Sequence, residues 1–311
     1  MQHQAFAAPG DFFKGNLHTH STRSDGALDP AEVCRRYAEA GYDFISLTDH
    51  FLGRFGYPVT DTRAFRTNRF TTIPGAEIHA DTLANGELWH MVAVGLPDDF
   101  APPDVHDWDP RETLEPAPAF AARARDAGAF VALAHPEWFG MTVGDARAIE
   151  AAHAVEIYNH GCEVQQDRGG GFAILDALLS EGRRLSGCAT DDAHFKGRDH
   201  FGGWVMVKAE ANEPQALLEA LKAGAYYSST GPELHEVAVD GDALVVECSP
   251  VRDILAVGHG SASTFAEDES GGPGLTSARL PLAPFVKGGW VRATAVDAEG
   301  RKAWSNPLWL G

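Results

Sequence analysis

The chain has few of the features that would place a protein in a membrane or outside the cell. None of its apolar runs approaches the about 18 residues that a membrane helix needs, and hydrophobic residues make up 44% of its 311 residues. The opening stretch MQHQAFAAPG lacks the basic start and the long apolar segment of a secretory signal. We therefore expect a soluble protein of the cytoplasm with no membrane partner.

Cysteine is scarce and scattered. The four cysteines, Cys34, Cys162, Cys188 and Cys248, show no CxxC spacing. This pattern argues against a disulfide framework and against a zinc knuckle. We expect four buried thiols.

Basic residues are also in short supply. The chain has 25 lysines and arginines against 44 aspartates and glutamates, which gives a formal charge of −19. Such a field repels a polyanion at long range, so stable binding to long nucleic acid is not expected. A small anionic substrate stays compatible with this charge, because bound divalent cations can reverse the sign of the field locally. Composition leaves the oligomeric state open.

Strand-like and helix-like segments alternate over the first two thirds of the chain. A short extended stretch at 15–19 leads to a helical pattern at 30–42, where Asp29 is a candidate N-cap and Gly41 a candidate C-cap. The segment DFISLTDH follows as a buried strand. Further candidate strands are 71–80, 90–96, 129–136, 154–159 and 183–194, and further candidate helices are 116–127, 142–152, 168–181 and 213–223. This alternation predicts a mostly parallel sheet, either a barrel or a doubly wound sheet.

The pattern changes after about residue 232. Short alternating stretches such as HEVAVDGDALVVECS and WVRATAVDAEG are separated by Asp-Gly and other glycine turns. We predict two domains, an α/β domain at 1–232 and a small antiparallel β-sandwich at 233–311. A long connection at 51–72 directly follows His50, and loops at strand ends often bind substrate.

Histidine is the residue that stands out, with fourteen in the chain. Several histidines and carboxylates lie at the ends of predicted strands: His18, His20, Asp25, His50, Glu77, His90, His135, Asp191, Asp192 and His194. In a parallel α/β fold the carboxyl ends of the strands lie on one face, so we expect these side chains to converge.

Their chemistry is that of a divalent metal cluster. Imidazole suits zinc, iron and manganese, and a carboxylate such as Glu77 can bridge two ions. In an extended stretch residues i and i+2 point to the same side, so His18 and His20 can bind one ion together. A lone histidine in a strand is more often a hydrogen-bonded core residue. Here, however, so many histidines and carboxylates lie at strand ends that metal binding is favoured.

Five short motifs carry a resemblance to a known family. HTHSTRSDG, SLTDH, PGAEI, LAHP and TDDAH, in this order, resemble the PHP (polymerase and histidinol phosphatase) family over about residues 12–232. The resemblance implies a distorted (β/α)7 barrel with two or three metal ions that hydrolyses phosphate esters. The sandwich after STGPEL also resembles a subgroup of stand-alone PHP metallohydrolases that includes carbamate-cleaving members.

The resemblance assigns the metal ligands residue by residue. It implies His18, His20, Glu77 and Asp192 for a first ion, Glu77, His90 and His135 for a second, and Asp25, His50 and His194 for a third. Some relatives have histidine at the position of Asp25, and His79 competes with His90 because it lies two residues beyond Glu77. Asp191 is a candidate supporting partner of these ligands. We expect two or three ions of zinc, manganese or iron.

The expected nucleophile is a metal-bound hydroxide, since no G-x-S-x-G motif or cysteine setting offers an alternative. Glu77 and Asp192 are then catalytic as well as ligating, and His160 is a candidate acid for the leaving group. The candidate substrate-binding residues are Arg23, Asn159, Arg198 and His200. A structural histidine is the alternative for His160, and a solvated surface is the alternative for the charged loops.

Three functions remain open at this point. The first is a metal-dependent phosphoesterase that acts on a small phosphate monoester or diester, such as a nucleotide. The second keeps the metal site but cleaves an amide, carbamate or carboxylic ester. The third is a non-catalytic, metal-binding regulatory module, against which the retention of all nine ligand positions argues.

Overall fold

A computed structural model describes residues 3–103, 115–268, 272 and 274–311. The helices are Gln4–Ala7 (α1), Pro30–Glu39 (α2), Ala117–Asp126 (α3), Val143–Ala148 (α4), His160–Gln166 (α5), Phe172–Ser180 (α6) and Pro214–Lys222 (α7). The first ten strands are Asp11–Asn16 (β1), Phe44–Leu47 (β2), His50–Phe51 (β3), Thr71–Thr82 (β4), Leu88–Val94 (β5), Phe130–Leu133 (β6), Ala154–Asn159 (β7), Ser186–Thr190 (β8), Trp204–Ala209 (β9) and Tyr226–Ser229 (β10). The remaining strands are Leu234–Asp240 (β11), Ala243–Val251 (β12), Asp253–Gly258 (β13), Ser263–Glu267 (β14), Leu275–Pro281 (β15), Trp290–Val296 (β16), Lys302–Ser305 (β17) and Leu308–Trp309 (β18).

The α/β part is built on the strand order β9-β1-β2-β4-β5-β6-β7-β8. The pairs β1–β2, β2–β4, β6–β7 and β7–β8 are parallel. The expectation of a mostly parallel sheet needs correction at two places, since β9 runs antiparallel to β1 and β5 runs antiparallel to β4 and β6. The direction of β5 follows from its short connection at 83–87, because such a loop joins neighbouring strands only as a hairpin.

The two ends of this strand order meet through a side chain. Ser228 in β10 accepts a hydrogen bond from the Ala189 amide at 3.0 Å and donates one to the Gly187 carbonyl at 3.0 Å. Both partners lie in β8, while β10 itself pairs with β9. The serine hydroxyl therefore replaces backbone hydrogen bonds between β8 and β10 at the point where the barrel closes.

Apolar side chains fill the barrel and cover its outside. One buried cluster joins residues from most barrel strands to the leucines of α7, which contacts β4, β6 and β9. Helix α2 begins as expected at Asp29, whose carboxylate accepts a hydrogen bond from the Glu32 amide at 3.0 Å, and it buries Val33, Cys34 and Tyr37. Each such apolar burial contributes about 1.5–3 kcal/mol before entropy is counted. All four cysteines are free and buried.

The C-terminal part is a sandwich of two antiparallel sheets. Strands β11, β12 and β15 form one sheet, and β13, β14, β16 and β17 belong to the other, which continues through β10 into the barrel. A separate apolar cluster lies between them. The predicted fold class, a distorted barrel followed by an antiparallel sandwich, is confirmed. The boundary between residues 232 and 233 stays a prediction.

Over the described ranges, we find no helix with the length and apolarity needed to cross a lipid bilayer.

Candidate metal centre

The predicted ligands gather at one end of the barrel. His18 and His20 follow β1, Asp192 and His194 follow β8, and His135 follows β6. His90 reaches the same end by a different route, because it lies in the amino-terminal half of the antiparallel strand β5. In an antiparallel strand this half lies beside the carboxyl ends of its neighbours.

Backbone pairing between two loops sets the first group of ligands. The His20 amide donates to the Ala193 carbonyl, and the Asp192 amide donates to the His18 carbonyl, both at 2.9 Å. Consequently Asp192 Oδ1 lies 3.3 Å from His18 Nε2 and 3.0 Å from His20 Nε2. These three side chains offer ligand atoms that all lie within 4.8 Å of one another.

Glu77 lies at the centre of the cluster, with 1% of its surface exposed. Its Oε2 lies 3.7 Å from Nε2 of both His18 and His20. Further imidazole nitrogens lie within 2.5–3.6 Å of its two oxygens, from His50, His79, His90 and His135. A carboxylate with this many neighbours is placed to bridge two ions.

Asp25 organises a second group at the edge of the cluster. Its Oδ1 lies 3.2 Å from Nε2 of both His50 and His194. His20 belongs to the same group of possible ligands, whose ligand atoms lie within 4.8 Å of one another, and its ring stacks on that of His194 with centroids 4.2 Å apart. On the outer side, Lys196 Nζ lies 3.4 Å from Asp25 Oδ2.

His79 and His90 both lie at Glu77. His90 Nδ1 lies 2.7 Å from Glu77 Oε1, and His79 Nε2 lies 2.9 Å from His50 Nδ1. Together His50, Glu77 and His79 form a further group of possible ligands. Both histidines thus lie beside Glu77, and both stay candidate ligands.

Glu156 also belongs to the candidate site, although no sequence motif points to it. It is fully buried in β7 and accepts a hydrogen bond from Nδ1 of His18 at 2.8 Å and from the His135 amide at 2.7 Å. Thr190 and Asn159 donate to the same carboxylate at 2.8 and 3.1 Å. The bond to Nδ1 fixes the His18 tautomer and directs Nε2 to the cluster. A carboxylate inside the apolar strand AVEIYN was the available signal.

Asn159 and Asp191 lie behind the cluster. Asn159, a predicted substrate contact, is fully buried and donates to Asp192 Oδ2 at 3.2 Å, so it supports that carboxylate. Asp191, predicted to support the ligands, instead accepts hydrogen bonds from Tyr37 Oη at 2.7 Å and from three successive amides, at residues 201–203, at 2.8–2.9 Å. It holds a neighbouring loop in place.

Backbone strain coincides with two of the ligands. His135 has a φ of 24° and Asp192 a φ of 54°, in the left-handed region that favours glycine. Such conformations cost on the order of 1–3 kcal/mol and tend to occur at functional sites. The surrounding hydrogen bonds to Glu156 and His18 hold these two residues in place.

The pKa values show how closely the charges are packed. Burial lowers the pKa of His18, but Asp192, Glu156 and Glu77 outweigh it and raise the pKa well above the usual value. Burial and the neighbouring imidazoles of His194 and His50 lower the pKa of His20 to about 4. Burial opposes ionisation of Glu77, yet the surrounding imidazoles hold its pKa well below the usual range.

The donor set fits divalent metal ions. His18 Nε2, Glu77 Oε2 and Asp25 Oδ1 are buried atoms without a hydrogen-bond partner among the described residues. Buried polar atoms are normally satisfied, and unsatisfied ones often mark an ion. Imidazole nitrogens and carboxylate oxygens aimed at the same points are the ligands that zinc, manganese and iron take.

A cavity of about 330 Å³ opens onto the cluster. Its walls include seven proposed ligands and, among the described lining residues, a single Lys or Arg side chain, that of Arg54. Arg54 lies on a short 3-10 turn, Gly53–Phe55, within the long connection after His50. Its guanidinium lies 4.6 Å from the Phe55 ring, which stacks 6.1 Å from the His50 ring. Leu52, Leu88 and Trp138 form an apolar wall.

Other predicted site residues are not among those that line this cavity. His160 Nδ1 faces Tyr158 Oη at 3.1 Å and its Nε2 faces the Arg198 carbonyl at 3.0 Å. Arg23 and Arg198 are exposed. His200 stacks on Phe195 with ring centroids 5.0 Å apart. None of these four described residues lines the cavity or belongs to a group of possible ligands, and their proposed roles stay predictions.

Comparisons with known proteins support the fold. No family model matches the chain, and no curated protein matches it. A solved two-domain protein from Bacteroides vulgatus, described as containing a predicted PHP-like metal-dependent phosphoesterase, is 18% identical to it. The alignment covers 97% of this chain and 98% of that chain, with a TM-score of 0.52. An amidohydrolase from Chromobacterium violaceum is 16% identical over 58% of this chain and 87% of that chain, with a TM-score of 0.39. The chain therefore has the two-domain fold of the Bacteroides protein, and the resemblance of its motifs to the PHP family is confirmed at the level of the fold.

Proposed function

We propose that this chain is a cytoplasmic, metal-dependent hydrolase of small phosphate esters. The observation that carries the proposal is the clustering of the nine predicted ligands, seven of which line one cavity. Two or three ions of zinc, manganese or iron suit this set of imidazoles and carboxylates. The proposed ligands are His18, His20, Asp25, His50, Glu77, His90, His135, Asp192 and His194.

The balance of charge favours an anionic substrate. Five carboxylates, those of Asp25, Glu77, Glu156, Asp191 and Asp192, lie in or directly behind the cluster. Two divalent ions would balance four of them, and a third ion together with Arg54 would leave the site positive. A positive, partly buried site attracts a phosphate ester more strongly than a neutral amide or carbamate.

The cavity offers no competing protein nucleophile among its described lining residues. Cys162 is the thiol in its wall, and burial raises the pKa of this group well above its usual value, so it stays protonated. Divalent ions bound by these ligands would supply what the side chains lack, namely a water of lowered pKa and charge neutralisation at the phosphoryl oxygens.

The residues of the chain then bind and orient. Glu156 and Asn159 hold His18 and Asp192 in place from behind. Arg54 is placed to bind a phosphoryl oxygen at the mouth of the cavity, because an arginine fork matches phosphate geometry. The apolar wall of Leu52, Leu88 and Trp138 excludes water and contacts the organic part of the ester.

A substrate panel tests the reaction class. We expect phosphate release from p-nitrophenyl phosphate or cleavage of bis-p-nitrophenyl phosphate, and little cleavage of naphthyl carbamate. Cleavage of the carbamate without turnover of either phosphate ester would show that the site hydrolyses a carbonyl compound and not a phosphate ester. An Arg54→Gln variant should raise KM for the phosphate esters, with Arg63→Gln, an exposed arginine of the same connection, as the matched control.

We expect removal of Asp25 to separate the ions. Asp25→Ala removes the carboxylate between His50 and His194 but leaves His18, His20 and Asp192 unaltered. The variant should therefore lose one equivalent of bound metal and keep the other ions, as measured by elemental mass spectrometry. Equal metal content in the variant and the native protein would contradict the assignment of Asp25 to a separate ion.

Metal affinity should rise with pH. Histidine ligands bind metal only when deprotonated, and the raised pKa of His18 in the metal-free protein means that protons compete even near neutrality. Affinity should therefore increase from about pH 6 to about pH 8, with protons released on binding. Calorimetry in two buffers of different ionisation enthalpy measures this release. A pH-independent affinity with no released protons would contradict the proposed ligand set.

A further inference from the structure

A second cavity lies at the opposite end of the barrel. His153 directly precedes β7 and Leu185 directly precedes β8, whereas the metal ligands follow the carboxyl ends of the barrel strands. We name this the basal cavity; residues 306–309 of the C-terminal segment form its other wall. It encloses about 650 Å³, against about 330 Å³ for the cavity at the metal centre.

Positive charge is concentrated here. Arg184 and Lys222 line the basal cavity, and an adjoining hollow of about 300 Å³ shares both of them and adds Arg125 and Arg183. Among the described residues that line the two spaces, Glu150 carries the one acidic side chain. The chain as a whole has a formal charge of −19, so this positive region is opposite in sign to the rest of the protein. Clustered cations repel one another and favour an anion between them.

The four cations differ in how they are held. Arg183 donates to the carbonyls of Ala146 and Ile149 at 3.2 and 2.8 Å, so it is part of the framework. Lys222 contacts the exposed Glu219 at 3.2 Å. For Arg184 and Arg125, no carboxylate of the described chain lies within 4 Å, which leaves their guanidinium groups available to a ligand.

An aromatic ring fixes one of these guanidinium groups at the wall. The Arg184 guanidinium lies 4.8 Å from the centre of the Trp309 ring. A cation over an indole face is stabilised by about 0.5–2 kcal/mol and loses less freedom when it binds an anion. Trp309, Leu185 and Pro307 also give the cavity an apolar surface.

His153 adds a neutral donor. Its Nδ1 accepts a hydrogen bond from the Val131 amide at 3.1 Å, which places the ring proton on Nε2. Burial and the charges of Arg125 and Lys222 lower the pKa of His153 to about 4, so the ring is neutral at physiological pH. Both cations line the adjoining hollow together with this ring.

We propose that the basal cavity binds a small organic phosphate, with its phosphate group at Arg184, Lys222 and Arg125 and its organic part against Trp309. Several cationic donors suit a doubly charged phosphate better than a single carboxylate, and guanidinium forks match its oxygens. The apolar wall favours an organic phosphate over free inorganic phosphate. This site is separate from the metal centre and does not depend on the function proposed there.

Phenylphosphonate is a suitable probe, because its carbon–phosphorus bond is not an ester. Calorimetry on the metal-loaded protein should detect one equivalent bound in the basal cavity, besides any at the metal centre. The double variant Arg184→Gln and Lys222→Gln should weaken the basal event by about tenfold or more, as expected when charge-assisted hydrogen bonds are lost. Hydrolytic activity measured without the probe should not change.

The matched control is Arg252→Gln with Arg279→Gln, which removes two exposed arginines from the sandwich. It makes the same change in net charge and should leave both binding events intact. The single variant Lys222→Gln gives the same test, with a smaller loss, should the double variant fold poorly. Binding of phenylphosphonate that is equal in the native protein and in the basal variants would overturn the proposal. If inorganic phosphate bound there as tightly as phenylphosphonate, the proposed contact between the organic part of the ligand and Trp309 would be wrong.

Discussion

Replacement of Glu77 by glutamine should lower hydrolytic activity by about a thousandfold or more. Glu77 is buried and lies within 4 Å of an imidazole nitrogen of six histidines. Glutamine keeps the shape of the side chain but removes the negative charge that would bridge two ions. Loss of charge stabilisation at a metal site costs several kcal/mol of barrier, and each 1.4 kcal/mol is a factor of ten in rate.

The measurement combines kcat/KM on a phosphate ester with the metal content of the purified protein. Glu87→Gln is the matched control, because Glu87 is exposed in the turn that connects β4 to β5, the strands that carry Glu77 and His90. It should leave both quantities unchanged. A Glu77→Gln protein that is folded, loaded with the native number of ions and fully active would rule out the central role of this carboxylate.

Replacement of Glu156 by glutamine should lower metal affinity and activity by about 10–100-fold, although Glu156 lines no part of the cavity. The carboxylate accepts from both the His18 ring and the His135 amide. A glutamine amide group would have to face one of these donors with a donor of its own. Outer partners of metal-bound histidines typically have effects of this size. The unpaired donor should also lower the free energy of unfolding by about 1–3 kcal/mol.

Competition with a metal indicator measures the affinity, and urea denaturation measures the stability. Glu210→Gln, at an exposed position directly after β9, serves as the control and should change neither. Unaltered metal affinity in Glu156→Gln would show that the hydrogen bond to His18 Nδ1 does not orient this ligand.

Much of the metal centre could be predicted from the sequence because its geometry is local. His18 and His20 share a side through the period of an extended chain, and the helix start at Asp29 follows from a capping side chain. Strand ends converge in any barrel, so Asp192 and His135 could be placed together without knowledge of the exact strand order, whereas Glu77 lies inside β4 and not at its end.

The rest depends on tertiary contacts that no local pattern shows. The direction of β5 follows from a hairpin, and it decides that His90 reaches the site from the beginning of its strand. His160 begins the short helix α5, where its ring nitrogens face Tyr158 and the Arg198 carbonyl. Arg54 reaches the cavity through a 3-10 turn in an irregular connection. Asp191 and Asp192 are adjacent in sequence, yet their side chains belong to different hydrogen-bond networks.

Titration of activity against bound metal tests the central claim most directly. The metal-free protein, prepared by chelation, should show no phosphate release, and activity should return as two to three equivalents of zinc, manganese or iron bind. Glu77→Gln should fail to recover under the same titration. Phosphate release that persists in the metal-free protein, or a native protein that binds no divalent ion, would contradict the account.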